Sequence, residues 1–351
     1  MATLTLDRVD VSIGDHPILT AIDLAVGDAE MVAVVGHSGS GKSTLLRSVA
    51  GLDAVTAGRI LIGDTDATRL PPHLRNVAMV FQADALYPFM TARGNVSFPL
   101  RVRHHDRQDI DQRVGAEMRA LGLGELMQRR PSQLAAGEQQ LVAVARAMVR
   151  APDVFLMDEP LARLDTALRT RIREQLRTVQ RGYGVTTLYV TNDPVEAAAV
   201  ADKLAVLVAG KIVQVGTPTE VYRRPVTLEA AEVTGDVSVL EVAVEEASEG
   251  FWLVADQVRV RAWTPLLAGH AGRHLLMMVR PEDLVPSDAG GVTALVTRVP
   301  VYGSHVMVHA ATGSGEVTAR AVTTMLRPGD QVRLDPIRMV LFDPATRRIV
   351  A

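Results

Sequence analysis

Residues 36–44 read Gly36-His37-Ser38-Gly39-Ser40-Gly41-Lys42-Ser43-Thr44, and this stretch decides the fold. It follows the apolar run MVAVVG (31–36) and opens TLLRSVAGL, which has helical periodicity. In such a loop, backbone N–H groups and the helix N-terminus converge on phosphate oxygens. We expect Lys42 to reach the terminal phosphates of a nucleotide and Ser43 to ligate Mg²⁺. The alternative interpretation is a glycine-rich turn that binds nothing.

A second apolar run, VFLMDE (154–159), ends in two carboxylates. Ligands of open α/β sheets bind at the carboxyl ends of the strands, so both acids are expected at the phosphate site. Asp158 is predicted to hold Mg²⁺ through water, and Glu159 to orient and polarise an attacking water. Alone, a strand ending in Asp-Glu is as often a solvent-facing strand end. Together with residues 36–44 it predicts nucleotide hydrolysis.

The chain divides into two regions of different pattern. Residues 1–234 alternate short apolar runs, such as TTLYVT (186–191), with helical patterns, which predicts a mostly parallel α/β sheet covered by helices. From residue 235 to 351 the runs are short, β-rich and separated by Gly, Pro and Asp. That second pattern predicts a small β-barrel or sandwich.

Composition excludes several classes of protein. The 351 residues carry a net charge of −3, so no field for nucleic acid is implied, and no nucleic-acid partner is expected. The chain has no cysteine, which excludes disulfides, thiolate zinc sites and cysteine catalysis. The first residues lack the pattern of a secretion signal, and no apolar run approaches the ~18 residues of a membrane helix. We therefore expect any membrane role to be peripheral.

The order of the remaining motifs resembles the ATP-binding subunits of ABC transporters over essentially the whole chain. VFQADALYPFMTARGNV (80–96) is similar to the family's Q-loop, with Gln82 at the glutamine that senses Mg²⁺ and the γ-phosphate. QLAAGEQQLVAVARAMV (133–149) occupies the place of the family signature. LARLD (161–165) matches the D-loop, with Asp165 retained, and VTNDPVEA (190–197) matches the switch loop, with Asn192 as its polar residue.

The resemblance implies a P-loop NTPase of ABC type that uses ATP and Mg²⁺, with a helical subdomain over about 84–150. It implies a head-to-tail dimer, in which each ATP lies between the P-loop of one subunit and the signature of the other. The second ATPase subunit is either another copy of this chain (a homodimer) or a different chain of the same family (a heterodimer). ALYPFMT (85–91) lies where the family docks a coupling helix of the membrane subunits. The implied partners are thus two membrane-spanning permeases and, indirectly, an extracytoplasmic solute-binding protein, with this chain peripheral on the cytoplasmic face of the cell membrane.

The tail resembles carbohydrate importers of the maltose-importer type, whose regulatory domain is OB-like (TOBE). The matching segments are VGTPTEVYRRP (215–225), MVRPEDL (278–284), VYGSH (301–305) and LFDPATRR (341–348). This implies import of a sugar or sugar-like solute, glycerol phosphate included. Arg280-Pro281-Glu282 is either functional, as the resemblance implies, or a strand end with a turn and a surface ion pair.

Several positions depart from the family pattern. Ile13, before Gly14, stands where an aromatic residue usually stacks on adenine. The signature, usually Leu-Ser-Gly-Gly-Gln, reads Leu-Ala-Ala-Gly-Glu: Ala135 lacks the hydroxyl for the partner's γ-phosphate, Gly137 is kept, and Glu138 adds negative charge. Asn192 replaces the switch histidine and cannot carry a proton.

Three functions remain open from the sequence. The first is a transport ATPase that either works slowly as a homodimer or pairs with a subunit whose motifs are intact. In a variant of this function the substitutions are tolerated and the ATPase works normally. The second is an ATP-binding regulatory subunit with very weak hydrolysis, as the altered signature suggests. A soluble ATPase of repair or translation is the third, against which the OB-like tail and ALYPFMT argue.

Overall fold

The protein forms two compact units, residues 1–219 and 220–351. The computed structural model describes residues 2–82, 86–248, 250–256, 258–262, 264–288, 290–321 and 325–351. The predicted Ala85 of the ALYPFMT segment, and Asp84 at the predicted start of the helical subdomain, lie outside the described residues.

The first unit contains ten of the named strands and most of the helices. The strands are β1 (Leu4–Ile13), β2 (His16–Val26), β3 (Met31–Val35), β4 (Ala57–Ile62), β5 (Thr65–Asp66), β6 (Val77–Val80), β7 (Val154–Asp158), β8 (Thr186–Thr191), β9 (Lys203–Val208) and β10 (Lys211–Gly216). The helices are α1 (Lys42–Ala50), α2 (Ala92–Val102), α3 (Arg107–Ala120), α4 (Ala136–Met148), α5 (Thr166–Tyr183) and α6 (Pro194–Val200), and α7 (Pro218–Arg223) crosses the boundary between the units.

The central sheet of this unit has the strand order β10-β9-β3-β8-β7-β6. Pairing is parallel from β9 through β6, and only β10 runs antiparallel to its neighbour β9. Every residue of β3, β7 and β8 is buried, as expected for strands covered on both faces. The prediction of a mostly parallel α/β sheet is therefore confirmed.

A second, antiparallel sheet in the same unit has the order β2-β1-β4-β5. Its inward residues, among them Leu4, Leu6 and Ile22, share one core with Val34 of the central sheet and Leu45 of α1. The sequence analysis did not separate this sheet from the parallel one, although β1 alternates buried and exposed residues in the manner of a half-buried strand.

Helices α2, α3 and α4 form a layer of their own, in which α2 packs against both α3 and α4. Two of these helices begin at side-chain caps: Thr91 Oγ1 accepts from Gly94 N at 3.1 Å, and Asp106 Oδ1 accepts from Asp109 N at 2.9 Å. None of the helices in the described part of the chain is long and apolar enough to cross a membrane.

The second unit is built mainly from antiparallel strands. Its elements are α8 (Leu228–Thr234), β11 (Ser238–Glu246), β12 (Phe251–Ala255), β13 (Val258–Ala262), β14 (His274–Val279), β15 (Leu284–Pro286), β16 (Gly291–Arg298), β17 (Val306–Thr312), β18 (Gly315–Ala321), β19 (Gln331–Pro336) and β20 (Val340–Phe342). The sheet has the order β15-β19-β16-β13-β12-β11-β14-β20, with β17 paired to β16 and β18 paired to β17, and it curls around one apolar core. The predicted all-β second domain is thus confirmed.

The compact units divide at residue 219, before the change of sequence pattern at residue 234. Helix α8 accounts for the difference, because Leu228 and Ala231 pack with Met278, Val340 and Phe342 of the second unit. The sequence boundaries 1–234 and 235–351, and the helical subdomain over 84–150, stay predictions.

A buried arginine fixes the C-terminal end of α1. Arg75 is 5% exposed, and its guanidinium donates to the carbonyls of Ser48 (2.7 Å), Val49 (3.0 Å), Leu70 (2.7 Å) and Thr68 (3.0 Å). The last carbonyls of a helix have no intrahelical partner, and this side chain bonds two of them, of which Ser48 also accepts from Gly51 N at 3.1 Å. It thereby ties the end of α1 to the segment that contains Thr68 and Leu70.

We predict that Arg75→Ala lowers the free energy of unfolding by about 2–4 kcal/mol, because it orphans several buried carbonyls at once. Arg59→Ala is the matched control, because Arg59 is exposed and its salt bridge with Asp7 is screened by water and contributes little to stability. Urea unfolding of both variants measures the difference. Equal midpoints for the two variants would contradict the capping role of Arg75.

Candidate functional site

The loop over residues 36–44 joins the end of β3 to the start of α1 and has the backbone of a phosphate cradle. Gly39 and Gly41 have φ angles of 82° and 103°, which residues with a Cβ rarely adopt. A Cβ on Gly36 would lie 2.3 Å from the carbonyl oxygen of Leu207, so only glycine fits there. The hydroxyl of Ser40 is buried and has no hydrogen-bond partner among the described residues. The loop therefore fits a ligand rich in phosphate oxygens.

The ammonium group of Lys42 lies within this loop and bonds its backbone. Its Nζ donates to the carbonyls of Gly36 and His37, both at 2.9 Å, and the residue is 5% exposed. Burial lowers the pKa of Lys42, whereas the nearby carboxylates of Glu159 and Asp158 raise it. The ammonium thus lies inside the loop that is predicted to bind phosphate.

Ser43 and Asp158 form the predicted magnesium site. Ser43 Oγ donates to Asp158 Oδ1 at 3.1 Å, which places a hydroxyl and a carboxylate oxygen side by side. Burial raises the pKa of Asp158, and the Ser43 hydrogen bond and the Lys42 and Arg47 charges oppose that shift. Mg²⁺ binds through few protein oxygens together with substrate phosphates and water, and this donor set fits it.

Glu159 lies one residue beyond β7 in a left-handed backbone conformation, with φ at 44°. Its backbone N–H donates to the carbonyl of Val190 on β8 at 2.8 Å. One carboxylate oxygen accepts from Gln82 Nε2 at 2.9 Å, and the other accepts from Asn192 Nδ2. The structure thus brings Gln82, Glu159 and Asn192 together, and two neutral amides hold the carboxylate in one orientation.

The altered signature begins helix α4. Ala135 is the N-cap residue and has no oxygen in its side chain, so α4 lacks the usual cap from residue 135. Glu138 Oε2 instead accepts from the backbone N–H of Ala135 at 2.8 Å, which is one half of a capping box. The sequence analysis assigned Glu138 only a charge near phosphate, and the structure gives that carboxylate a capping contact as well.

Two retained residues, Gly137 and Asp165, each contact Leu168 in the first turn of α5. A Cβ on Gly137 would lie 3.0 Å from the Leu168 side chain, so glycine permits the close packing of α4 and α5. Asp165 caps α5, with Oδ1 accepting from Leu168 N at 3.0 Å. The signature and D-loop residues therefore form a second cluster around Leu168.

Ile13 lies at the turn between β1 and β2. It pairs with His16 across the hairpin, beside Gly14 with φ at 58°, and it is 59% exposed. The Ile13 side chain is therefore accessible to the adenine base, as predicted, but an aliphatic group offers only apolar contact and no ring stacking.

The family comparison agrees with this geometry. A model of the ABC transporter family matches residues 19–162, and a TOBE domain model matches residues 277–342. The sulfoquinovosyl glycerol transport ATP-binding protein SmoE of Agrobacterium fabrum is 39% identical over 100% of both chains. This chain belongs to the ABC transporter family. The sn-glycerol-3-phosphate import ATP-binding protein UgpC of Ruegeria sp. is 39% identical over 100% of both chains, and that of Bordetella pertussis is 39% identical over 96% of this chain and 94% of its own.

The predicted resemblance to an ABC ATPase with an OB-like tail is therefore confirmed, as is the fold class. As a member of this family the ABC ATPase binds ATP. The individual roles of Lys42, Ser43, Gln82, Asp158 and Glu159 stay predictions that the geometry supports.

The sequence analysis missed a buried acid that positions the switch loop. Tyr189 OH on β8 donates to Glu196 Oε1 on α6 at 2.7 Å, and both residues are almost fully buried. Burial raises the pKa of Glu196, and hydrogen bonds from Tyr189 and Thr191 oppose the shift. A sequence signal was present, because Asp193-Pro194 followed by Glu196 is a helix start with an acid at the third position. These contacts fix α6 directly after Asn192.

We predict that Asn192→His adds the titration of a histidine to the pH–rate profile of the ABC ATPase. A histidine beside Glu159 titrates near pH 6.5 or above, because an adjacent carboxylate favours the imidazolium, so its positive charge is present at low pH and lost as pH rises. The rate of the variant should change through this window. Asn192→Gln, which keeps a neutral amide, is the control. A pH–rate profile of Asn192→His that parallels the parent profile would show that residue 192 does not act on the reacting phosphate.

Proposed function

We propose that this chain is the ATP-hydrolysing motor of a membrane importer. The observation that carries the proposal is the convergence, at one edge of the central sheet, of the Lys42 ammonium, the Ser43–Asp158 pair and an amide-held Glu159. These are the groups that nucleotide hydrolysis needs: a phosphate cradle, oxygen ligands for Mg²⁺ and a carboxylate for water.

Each residue has a role in the proposed reaction. The backbone of residues 36–44 and Lys42 bind the β- and γ-phosphates and neutralise their charge. Ser43 and Asp158 would hold Mg²⁺, which would supply charge stabilisation at the transferred phosphate. Glu159 accepts a hydrogen bond from the attacking water, and Gln82 and Asn192 orient the Glu159 carboxylate until the nucleotide competes for their amides.

The proposed solute is a sugar-like or glycerol phosphate-like compound. The support is that relatives of this length are named for transport of sulfoquinovosyl glycerol and import of sn-glycerol-3-phosphate. We place the chain on the cytoplasmic face of the membrane, peripheral, with two permease subunits and an extracytoplasmic solute-binding protein delivering the solute.

A groove in the first unit supports the proposal that permeases bind this chain. Its volume is about 640 Å³, and its apolar wall includes Leu52, Phe81, Tyr87, Phe98 and Val102. Arg103, Arg146 and Arg150 lie along the same groove, and none of the described residues that line it is acidic. An amphipathic segment that presents an apolar face and an acidic side chain would fit this surface. We propose that a cytoplasmic helix of each permease binds there.

We predict that Val102→Glu abolishes co-purification with the permeases while leaving ATP affinity unchanged. Val102 is 60% exposed on the groove wall, and a carboxylate there would remove apolar contact from the partner. Val215→Glu, at an exposed position of β10 outside the groove, is the matched control. If the Val102 variant pulls down the permeases as well as the control does, the groove is not the docking surface.

We further propose that the chain dimerises with a second ATPase subunit, so that α4 of each faces the ATP of the other. Ala135 then offers no hydroxyl to the partner's γ-phosphate, and Glu138 places a carboxylate at the helix N-terminus, where a phosphate would otherwise gain from the backbone dipoles.

We predict that Ala135→Ser/Glu138→Gln raises the steady-state ATPase rate about tenfold to hundredfold, since one lost transition-state contact costs ~10²–10³ in rate. Glutamine can still accept from the Ala135 N–H, so the cap of α4 is preserved. Glu125→Gln, an exposed loss of one negative charge, is the control. An unchanged rate in the double variant, with normal ATP binding, would contradict the limiting role of the signature.

A further inference from the structure

Arginines gather around two adjoining cavities in the second unit. The larger cavity, of about 410 Å³, is lined by Arg223, Arg224 and Arg338 together with Met339, Val340 and Ile349. The smaller cavity, of about 10 Å³, shares Arg223 and Arg338 and extends to Arg280. The small cavity has room for about one water molecule, and the large one for a small organic molecule.

Arg280 is the buried member of this cluster. It is 4% exposed, and burial lowers its pKa. Its Nη1 donates to the carbonyls of Ala231 (3.2 Å) and Asp236 (3.4 Å), and its Nη2 donates to the Tyr222 carbonyl (3.0 Å) and Thr234 Oγ1 (3.0 Å). The guanidinium also lies over the Tyr222 ring, 3.9 Å from its centroid. All these partners are neutral groups.

Within the described residues, the guanidinium of Arg280 has no carboxylate among its hydrogen-bond acceptors. Its Nε is buried without a hydrogen-bond partner there. The carboxylates of Glu282, Asp283 and Asp236 raise its pKa through space, against the larger effect of burial. Of the two alternatives for Arg280-Pro281-Glu282, the surface ion pair does not fit, because Arg280 is buried and Glu282 accepts from Tyr222 OH (2.6 Å). A buried cation without a directly bonded counter-ion is costly, and a bound anion would reduce that cost.

One acid lines the smaller cavity, and it does not neutralise the cluster. Asp283 Oδ1 lies 3.9 Å from Arg338 Nη1, beyond hydrogen-bond distance. Arg223 and Arg338 are both exposed at the cavity wall. Among the described residues that line the smaller cavity, three arginines (Arg223, Arg280 and Arg338) thus face one aspartate, and the surplus is positive.

We propose that these cavities form a binding site for a phosphate-class dianion in the second unit. Arg223 and Arg338 bind its oxygens through charge-assisted hydrogen bonds, and Arg280 supplies positive potential from behind through the smaller cavity. Met339, Val340 and Ile349 form an apolar wall that contacts the organic part of a small phosphomonoester. The shared chemistry is the phosphate group, which inorganic phosphate and a phosphomonoester both carry.

Binding is measured by titration calorimetry on the full chain, with an excess of a non-hydrolysable ATP analogue and Mg²⁺ present so that the β- and γ-phosphate positions of the P-loop are both occupied. Inorganic phosphate and phenyl phosphate are titrated separately at constant ionic strength. We expect both to bind, phenyl phosphate more tightly because it also contacts the apolar wall. Arg223→Gln/Arg338→Gln should weaken binding of each about tenfold or more, since two charged contacts are lost.

The control is Arg320→Gln/Arg327→Gln, which removes the same charge from exposed positions of the second unit outside both cavities. It should bind both anions as the parent does. The single variant Arg338→Gln repeats the test with one substitution should the double variant not fold. Equal affinities in cavity and control variants, or no binding of either anion by the parent with the ATP analogue present, would overturn the proposal. Equal affinities of the parent for the two anions would identify free phosphate as the ligand, and tighter phenyl phosphate binding would identify a phosphomonoester.

Discussion

The parallel register of three central strands is the constraint on which the site depends. Val35 of β3 pairs with Thr191 of β8, and Asp158 of β7 pairs with Val190. The residues that follow these positions therefore emerge at one edge of the sheet and at one level. The phosphate loop, Glu159 and Asn192 meet there because the backbone pairing brings them together, and the Glu159 N–H to Val190 carbonyl bond secures the left-handed turn that presents the carboxylate.

Burial constrains two of the retained residues. Lys42 and Asp158 are buried and tied to the loop and to Ser43, so a change in either would disturb charges in a confined space. Three residues that depart from the family pattern are exposed: Ala135, Asn192 and Ile13. Substitution there costs the fold little, and its effect falls on nucleotide contacts, on the hydrogen bond to Glu159 and on groups supplied by another subunit. The proposed slow turnover rests on the loss of those contacts.

Local patterns made much of this predictable from the sequence. Strands β3, β7 and β8 were evident because fully buried strands read as continuous apolar runs, and the P-loop because its glycines and lysine have fixed spacing. The antiparallel sheet was missed as a separate layer although its β1–β2 hairpin, with Gly14 in the turn, has a local signal. Its pairing of β1 with β4 joins strands far apart in the chain and leaves no such signal. The Glu138 cap of α4, the burial of Arg280 and the packing of α8 on the second unit likewise depend on tertiary contacts.

The account rests on the ammonium of Lys42 binding the terminal phosphates. Equilibrium binding of ATP with Mg²⁺ to the parent, to Lys42→Ala and to the exposed-site control Lys211→Ala tests it directly. Loss of two charge-assisted contacts predicts at least about hundredfold weaker binding for Lys42→Ala and parent-like binding for the control. If Lys42→Ala retains the affinity of the parent, the loop is not the nucleotide site, and the proposed motor function is contradicted.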